Sequence, residues 1–92
     1  MHDWTLVAIS FDWGAGRVSA EFRNRASMKV ALVAENVIDL HVPRLQDWGP
    51  SVSVNKVTGP LDGLAYKRLL IEMQSGDVIK ISAGTFVLPA ES

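Results

Sequence analysis

Between Trp4 and Asp12 the chain reads W-T-L-V-A-I-S-F-D, with Thr5, Val7, Ile9 and Phe11 on one parity and Trp4, Leu6, Ala8, Ser10 and Asp12 on the other. A period of two with one strongly apolar face predicts a strand. Residues Arg17 to Arg23 alternate more cleanly, Val18, Ala20 and Phe22 against Arg17, Ser19, Glu21 and Arg23. Trp13-Gly14-Ala15-Gly16 between them predicts a hairpin turn, because glycine adopts the positive φ that tight hairpins use. Gly14-Ala15-Gly16 also looks like half of a dinucleotide-binding loop, but that loop requires a third glycine and a following helix. Here a strand follows.

From Met28 to Val42 one parity carries Met28, Val30, Leu32 and Ala34, and later Ile38, Leu40 and Val42. Asn36 is placed to divide this run into two strands. A helix over Ala26 to Glu35 competes, but Val30, Val33, Val37 and Ile38 supply many β-branched residues, so strands are favoured. Pro43 ends the run, because it offers no N–H to a ladder. Arg44 to Gly49 reads as a connection, with room for one helical turn, leading to a strand over Ser51 to Val57. Gly59-Pro60-Leu61-Asp62-Gly63 reads as a loop. Leu69 to Gln74 and Val78 to Ser82 form a second hairpin across Ser75-Gly76-Asp77. Thr85 to Leu88 complete the ordered chain, and residues 89–92 read as a frayed tail. The sum is an all-β domain, an antiparallel sandwich or small open barrel of about seven short strands.

The chain of 92 residues is one domain spanning 1–92, since a chain this short buries roughly 60–65% of its unfolded surface in a single core. Hydrophobic residues make up 48% and charged residues 21%, a globular composition. The net charge of −1 supplies no basic surplus, which argues against nucleic acid. Only Arg17, Arg23, Arg25 and Lys29 could form a local basic patch. With no cysteine, disulfides and thiolate metal sites are excluded, so stability must come from the core or a partner subunit. Met1-His2-Asp3-Trp4 is unlike a secretory signal and no apolar run approaches the roughly 18 residues of a membrane span, so a cytoplasmic protein is expected.

Candidate chemistry is sparse. His41 shares a strand face with Asp39, and an Asp-x-His pair could orient an imidazole or contribute to a zinc site, given further ligands from elsewhere. His2, Asp3 and Asp12 have no spacing that recommends them for that role. Ser10, Ser51 and Ser53 lack a nucleophile elbow. Three tryptophans, Trp4, Trp13 and Trp48, serve either as caps on a small core or as exposed anchors for a sugar or protein. Trp4 and Trp48 fit the capping role, and Trp13, at the hairpin, is the one expected outside. In Trp48-Gly49-Pro50-Ser51-Val52-Ser53-Val54-Asn55, Gly49-Pro50 sets an extended corner. Val52 and Val54 then point inward, and Ser51, Ser53 and Asn55 form an outer polar row.

The motifs His2-Asp3-Trp4, Phe11-Asp12-Trp13, Trp48 to Asn55 and Ile71-Glu72-Met73-Gln74-Ser75-Gly76-Asp77-Val78-Ile79 together resemble small bacterial all-β proteins of unassigned function. More distantly, they resemble the short immunity proteins that neutralise toxins delivered between competing bacteria. That resemblance implies a single-domain inhibitor that binds its toxin by surface complementarity and catalyses nothing. The expected function is therefore a non-enzymatic, cofactor-free binding domain for a protein partner or a second copy of itself. Trp13, Trp48, Ser51, Ser53, Asn55, Asp39 and His41 are its candidate contacts. The alternatives are a carbohydrate-binding module on Trp13 and Trp48, or a small metal-dependent enzyme on His41 and Asp39.

Overall fold

A computed structural model describes residues 3–43, 53–63 and 65–89. Within them lie β1 (Thr5–Asp12), β2 (Arg17–Arg23), β3 (Lys29–His41), β4 (Val54–Asp62), β5 (Lys67–Met73) and β6 (Val78–Val87). All pairings are antiparallel, in one sheet of order β1-β2-β3-β6-β5-β4. Two three-stranded meanders are thus joined side by side through β3 and β6, the two longest strands.

The sheet has no second layer among the described residues, so it rolls on itself to cover its apolar face. The edges meet at the start of β1, where Thr5 bridges Ser53 in antiparallel fashion. There the Asp3 N–H donates to the Val54 carbonyl at 2.9 Å, and the Val54 N–H to the Trp4 carbonyl at 2.8 Å. All six strands contribute to the enclosed core. Leu6, Val18, Ala20, Phe22, Leu32 and Ala34 come from the first meander, and Val54, Leu69, Ile71, Met73, Ile79, Ile81 and Ala83 from the second. Trp4 closes one end at 1% exposure, its ring tilted against Phe22 with centroids 6.1 Å apart.

Strict alternation holds on β2 (Val18, Ala20, Phe22) and β5 (Leu69, Ile71, Met73) and breaks on the other four strands. A bulge makes Val7 the extra residue of β1, so the inward positions run Leu6, then Ile9. Val7 is exposed. A bulge at Asn55 similarly carries β4 from Val54 to Val57.

On β3 and β6 the inward positions step from Ala34 to Val37 and from Ala83 to Phe86 at a common row. That row is Asn36, at φ 55°, opposite Gly84. A Cβ on Gly84 would lie 3.3 Å from the Asn36 Cβ, so only glycine lets the two backbones approach this closely without displacement. Gly16 adjoins the same row, its carbonyl accepting the Val37 N–H at 2.9 Å.

Six strands replace the seven or so that the sequence suggested, for physical reasons visible in these elements. Asn36 bends β3 instead of dividing it, because a short amide side chain tolerates left-handed backbone. Val78 to Val87 is likewise continuous. The segment Gly59 to Asp62 is strand rather than loop, and the chain turns at Gly63 to Tyr66, where the Gly63 N–H donates to the Tyr66 carbonyl. Met28, assigned to the apolar parity, is exposed in the β2–β3 turn. That turn is organised by buried Asn24, whose Oδ1 accepts from the Ala26 and Met28 N–H groups, each at 3.0 Å. The expected turn at 44–49, Trp48 and the tail beyond Pro89 lie outside the described residues.

Gly59 and Gly76 both hold positive φ, 106° and 98°, in different surroundings. A Cβ at Gly59 would lie 2.6 Å from the Arg68 carbonyl oxygen and 2.9 Å from the Leu61 nitrogen, whereas at Gly76 nothing stands within 4 Å. Gly76→Ala is therefore expected to cost about 1–2 kcal/mol from backbone conformation alone, and Gly59→Ala distinctly more. Urea unfolding of the two variants measures the difference, and equal losses would contradict the close approach of β4 to β5.

Candidate functional site

The β1–β2 turn is fixed by its own backbone. Asp12 Oδ1 accepts the Ala15 N–H at 3.2 Å, and the Trp13 carbonyl accepts the Gly16 N–H at 3.3 Å. The bond from the Val37 N–H to Gly16 then ties the turn to β3. With the backbone so engaged, the Trp13 side chain stands out at 85% exposure. Its ring lies beside that of Phe11, centroid to centroid 5.4 Å with the rings inclined at 34°.

Facing this pair is the irregular half of β3. The register shifts between Val37 and Asp39, making Ile38 the extra residue. Val37 and Leu40 keep contact with the core while Ile38 is turned out to 62% exposure. Between turn and strand lies a groove of about 270 Å³ lined by Phe11, Trp13, Val37, Ile38, Asp39 and Leu40. Asp39 is the one charged side chain among these residues.

The structure therefore brings together two of the residues singled out from sequence, Trp13 and Asp39. His41 shares the exposed face of β3 with Asp39, opposite Lys80 on β6, and does not line the groove. The outer polar row is dispersed: Ser53 takes part in closing the sheet, its carbonyl also accepting the Gln74 N–H at 3.0 Å, while Asn55 sits at the β4 bulge with its side-chain amide donating to Glu72. Trp48 and Ser51 lie outside the described residues. Among the described residues no group of three His, Asp or Glu could hold a metal ion, so Asp39 and His41 find no third ligand there.

Phe11 and Ile38 are the groove residues that periodicity assigned elsewhere, to the apolar face. What turns Ile38 outward is the bulge, and Asn36 two residues earlier is the available hint of irregular backbone. The basic cluster is divided by the fold. Arg17 stands opposite Asp12 at one end of β2, and Arg23 stands opposite Lys29 at the other, near Arg25. A second depression, about 420 Å³, lies at the β4–β5 turn and includes Asp62, Tyr66 and Arg68. Its acid and base offset each other, and Asp62 already has Lys67 opposite it.

No protein-family model matches the chain, and no curated protein does. Among solved structures, the crystal structure of an uncharacterized protein from Neisseria gonorrhoeae is similar, with a TM-score of 0.66 at 17% identity over 95% of this chain and 90% of that one. At that identity the likeness is one of fold. No helix among the described residues is long and apolar enough to cross a membrane.

The contrast between the tryptophans is measurable. Trp13→Ala is expected to change unfolding free energy by less than about 0.5 kcal/mol, as for other exposed side chains. Trp4→Ala is expected to cost about 3–5 kcal/mol, the range for removing a large buried aromatic. Chemical denaturation checks both, and a large loss from Trp13→Ala would mean that this side chain holds the fold together.

Proposed function

We propose that the chain is a non-enzymatic protein-binding domain whose contact surface is the Trp13 groove. The observation that carries this reading is a large aromatic held by a well-bonded turn at 85% exposure, with Phe11 and Ile38 exposed beside it. Tryptophan anchors are enriched where binding energy concentrates in protein interfaces, and contiguous exposed apolar surface marks such sites. A toxin partner, as the likeness to immunity proteins implies, is one form of this function.

Carbohydrate binding is the second reading, and exposed Trp13 alone would serve it. Sugar recognition requires several hydrogen-bonding groups around a stacking ring, whereas Asp39 and the Trp13 indole N–H are the hydrogen-bonding side-chain groups among the groove residues described. The apolar majority favours a protein.

Affinity capture with the wild-type domain, Trp13→Ala and Ile38→Asp, read by mass spectrometry, tests the assignment. A protein retained by wild type and lost from both variants is the expected result. Retention unchanged in both would remove the groove from the function. A glycan panel that quenched the fluorescence of wild type and not of Trp13→Ala would transfer the site to sugar.

A further inference from the structure

The groove has a composition that selects among partner groups. Two aromatic rings, Phe11 and Trp13, 5.4 Å apart between centroids, line it together with one carboxylate, Asp39, and the apolar side chains of Val37, Ile38 and Leu40. An acidic side chain entering it would meet Asp39 as a like charge. A purely aliphatic one would cover that carboxylate without pairing it, and a buried unpaired charge is costly.

We infer that the groove receives a basic side chain of the partner, an arginine or lysine whose cation lies over the aromatic rings and pairs with Asp39. This rests on the protein-binding reading and names the chemistry of its partner. Aromatic faces carry negative quadrupole density that attracts a cation, and arginine stacks on them most readily. The methylene stem of either residue suits the apolar floor.

The charges nearby are consistent with this polarity. Asp12, between the two aromatics in sequence, is engaged by the Ala15 N–H and lies opposite Arg17, which offsets it. His41 is two residues beyond Asp39 with Lys80 opposite it, and neither lines the groove. Asp39 thus sets the sign of the groove.

N-acetyl-arginine amide and its neutral isostere N-acetyl-citrulline amide are suitable probes, followed by NMR at the Trp13 indole and the Ile38 methyl groups. Arginine amide is expected to bind about two- to fivefold more tightly than citrulline amide, the preference of an exposed aromatic site for a cation. Asp39→Asn should lower the affinity for arginine amide and leave that for citrulline amide unchanged, the aromatic part of the preference remaining, and added salt should weaken arginine alone. Equal binding of the two probes, or no movement of either resonance, overturns the inference. The underlying reading is separable by capture. A partner lost with Trp13→Ala but held unchanged by Asp39→Asn leaves protein binding intact and rejects the cation. Capture unchanged in both rejects the docking surface itself.

Discussion

A single sheet that must serve as its own cover is the constraint behind the rest of this structure. No helix or second sheet among the described residues lies over the apolar face, and no disulfide is possible. Among the described residues, the core is enclosed where β1 and β4 are drawn together. The two backbone bonds that join Val54 to Asp3 and Trp4 close the roll at one end, and Trp4 fills the space beneath them. Side-chain packing and edge pairing are therefore one event: opening the seam would expose Trp4 and Val54 together.

A flat sheet cannot close in this way, and curvature is concentrated where backbone is irregular. Asn36 and Gly84 make β3 and β6 irregular at one level, where Gly16 of the β1–β2 turn is bonded to Val37, and bulges at Val7, Ile38 and Asn55 interrupt individual strands. These devices also shape the surface. The bulge after Val37 lets the inward positions resume at Leu40 and leaves Ile38 outside, next to the turn that carries Trp13. Fold closure and groove thus share a cause, consistent with the frequent occurrence of bulges beside functional sites.

The same devices divide what was legible in the sequence from what was not. Strand content, both glycine-containing hairpins and the exposure of Trp13 follow from periodicity and turn chemistry, which are local. β2 and β5 keep strict alternation, and their inward residues are those periodicity assigns. On β1, β3, β4 and β6 a bulge or kink moves the inward set by one residue, so Val7 and Ile38 are misplaced by a rule of period two, while Phe11 keeps the parity of Ile9 and is exposed at the end of β1. Asn36 and Gly84 are ordinary residues in isolation; their role as neighbours in a bend depends on the β3–β6 pairing, a contact between distant parts of the chain. Ser53 was visible as a polar residue on a strand, but not as the partner of Thr5, because the seam is equally non-local.

The tip of the β1–β2 hairpin differs in kind from these structural irregularities. A small domain has few large apolar side chains with which to offset the entropy of folding, and burying one more would contribute roughly 2 kcal/mol. Trp13 is withheld from that core although Trp4 and Phe22 are fully enclosed. Nothing in the turn requires an indole, since its bonds run through Asp12, Ala15, the Trp13 backbone and Gly16. Phe11 and Ile38 extend the same exposed surface from two strands that meet there only through the fold. Asp39 lines the groove beside them. Exposed side chains of this kind contribute little to folding, and that is the ground on which contact with another molecule is proposed for them.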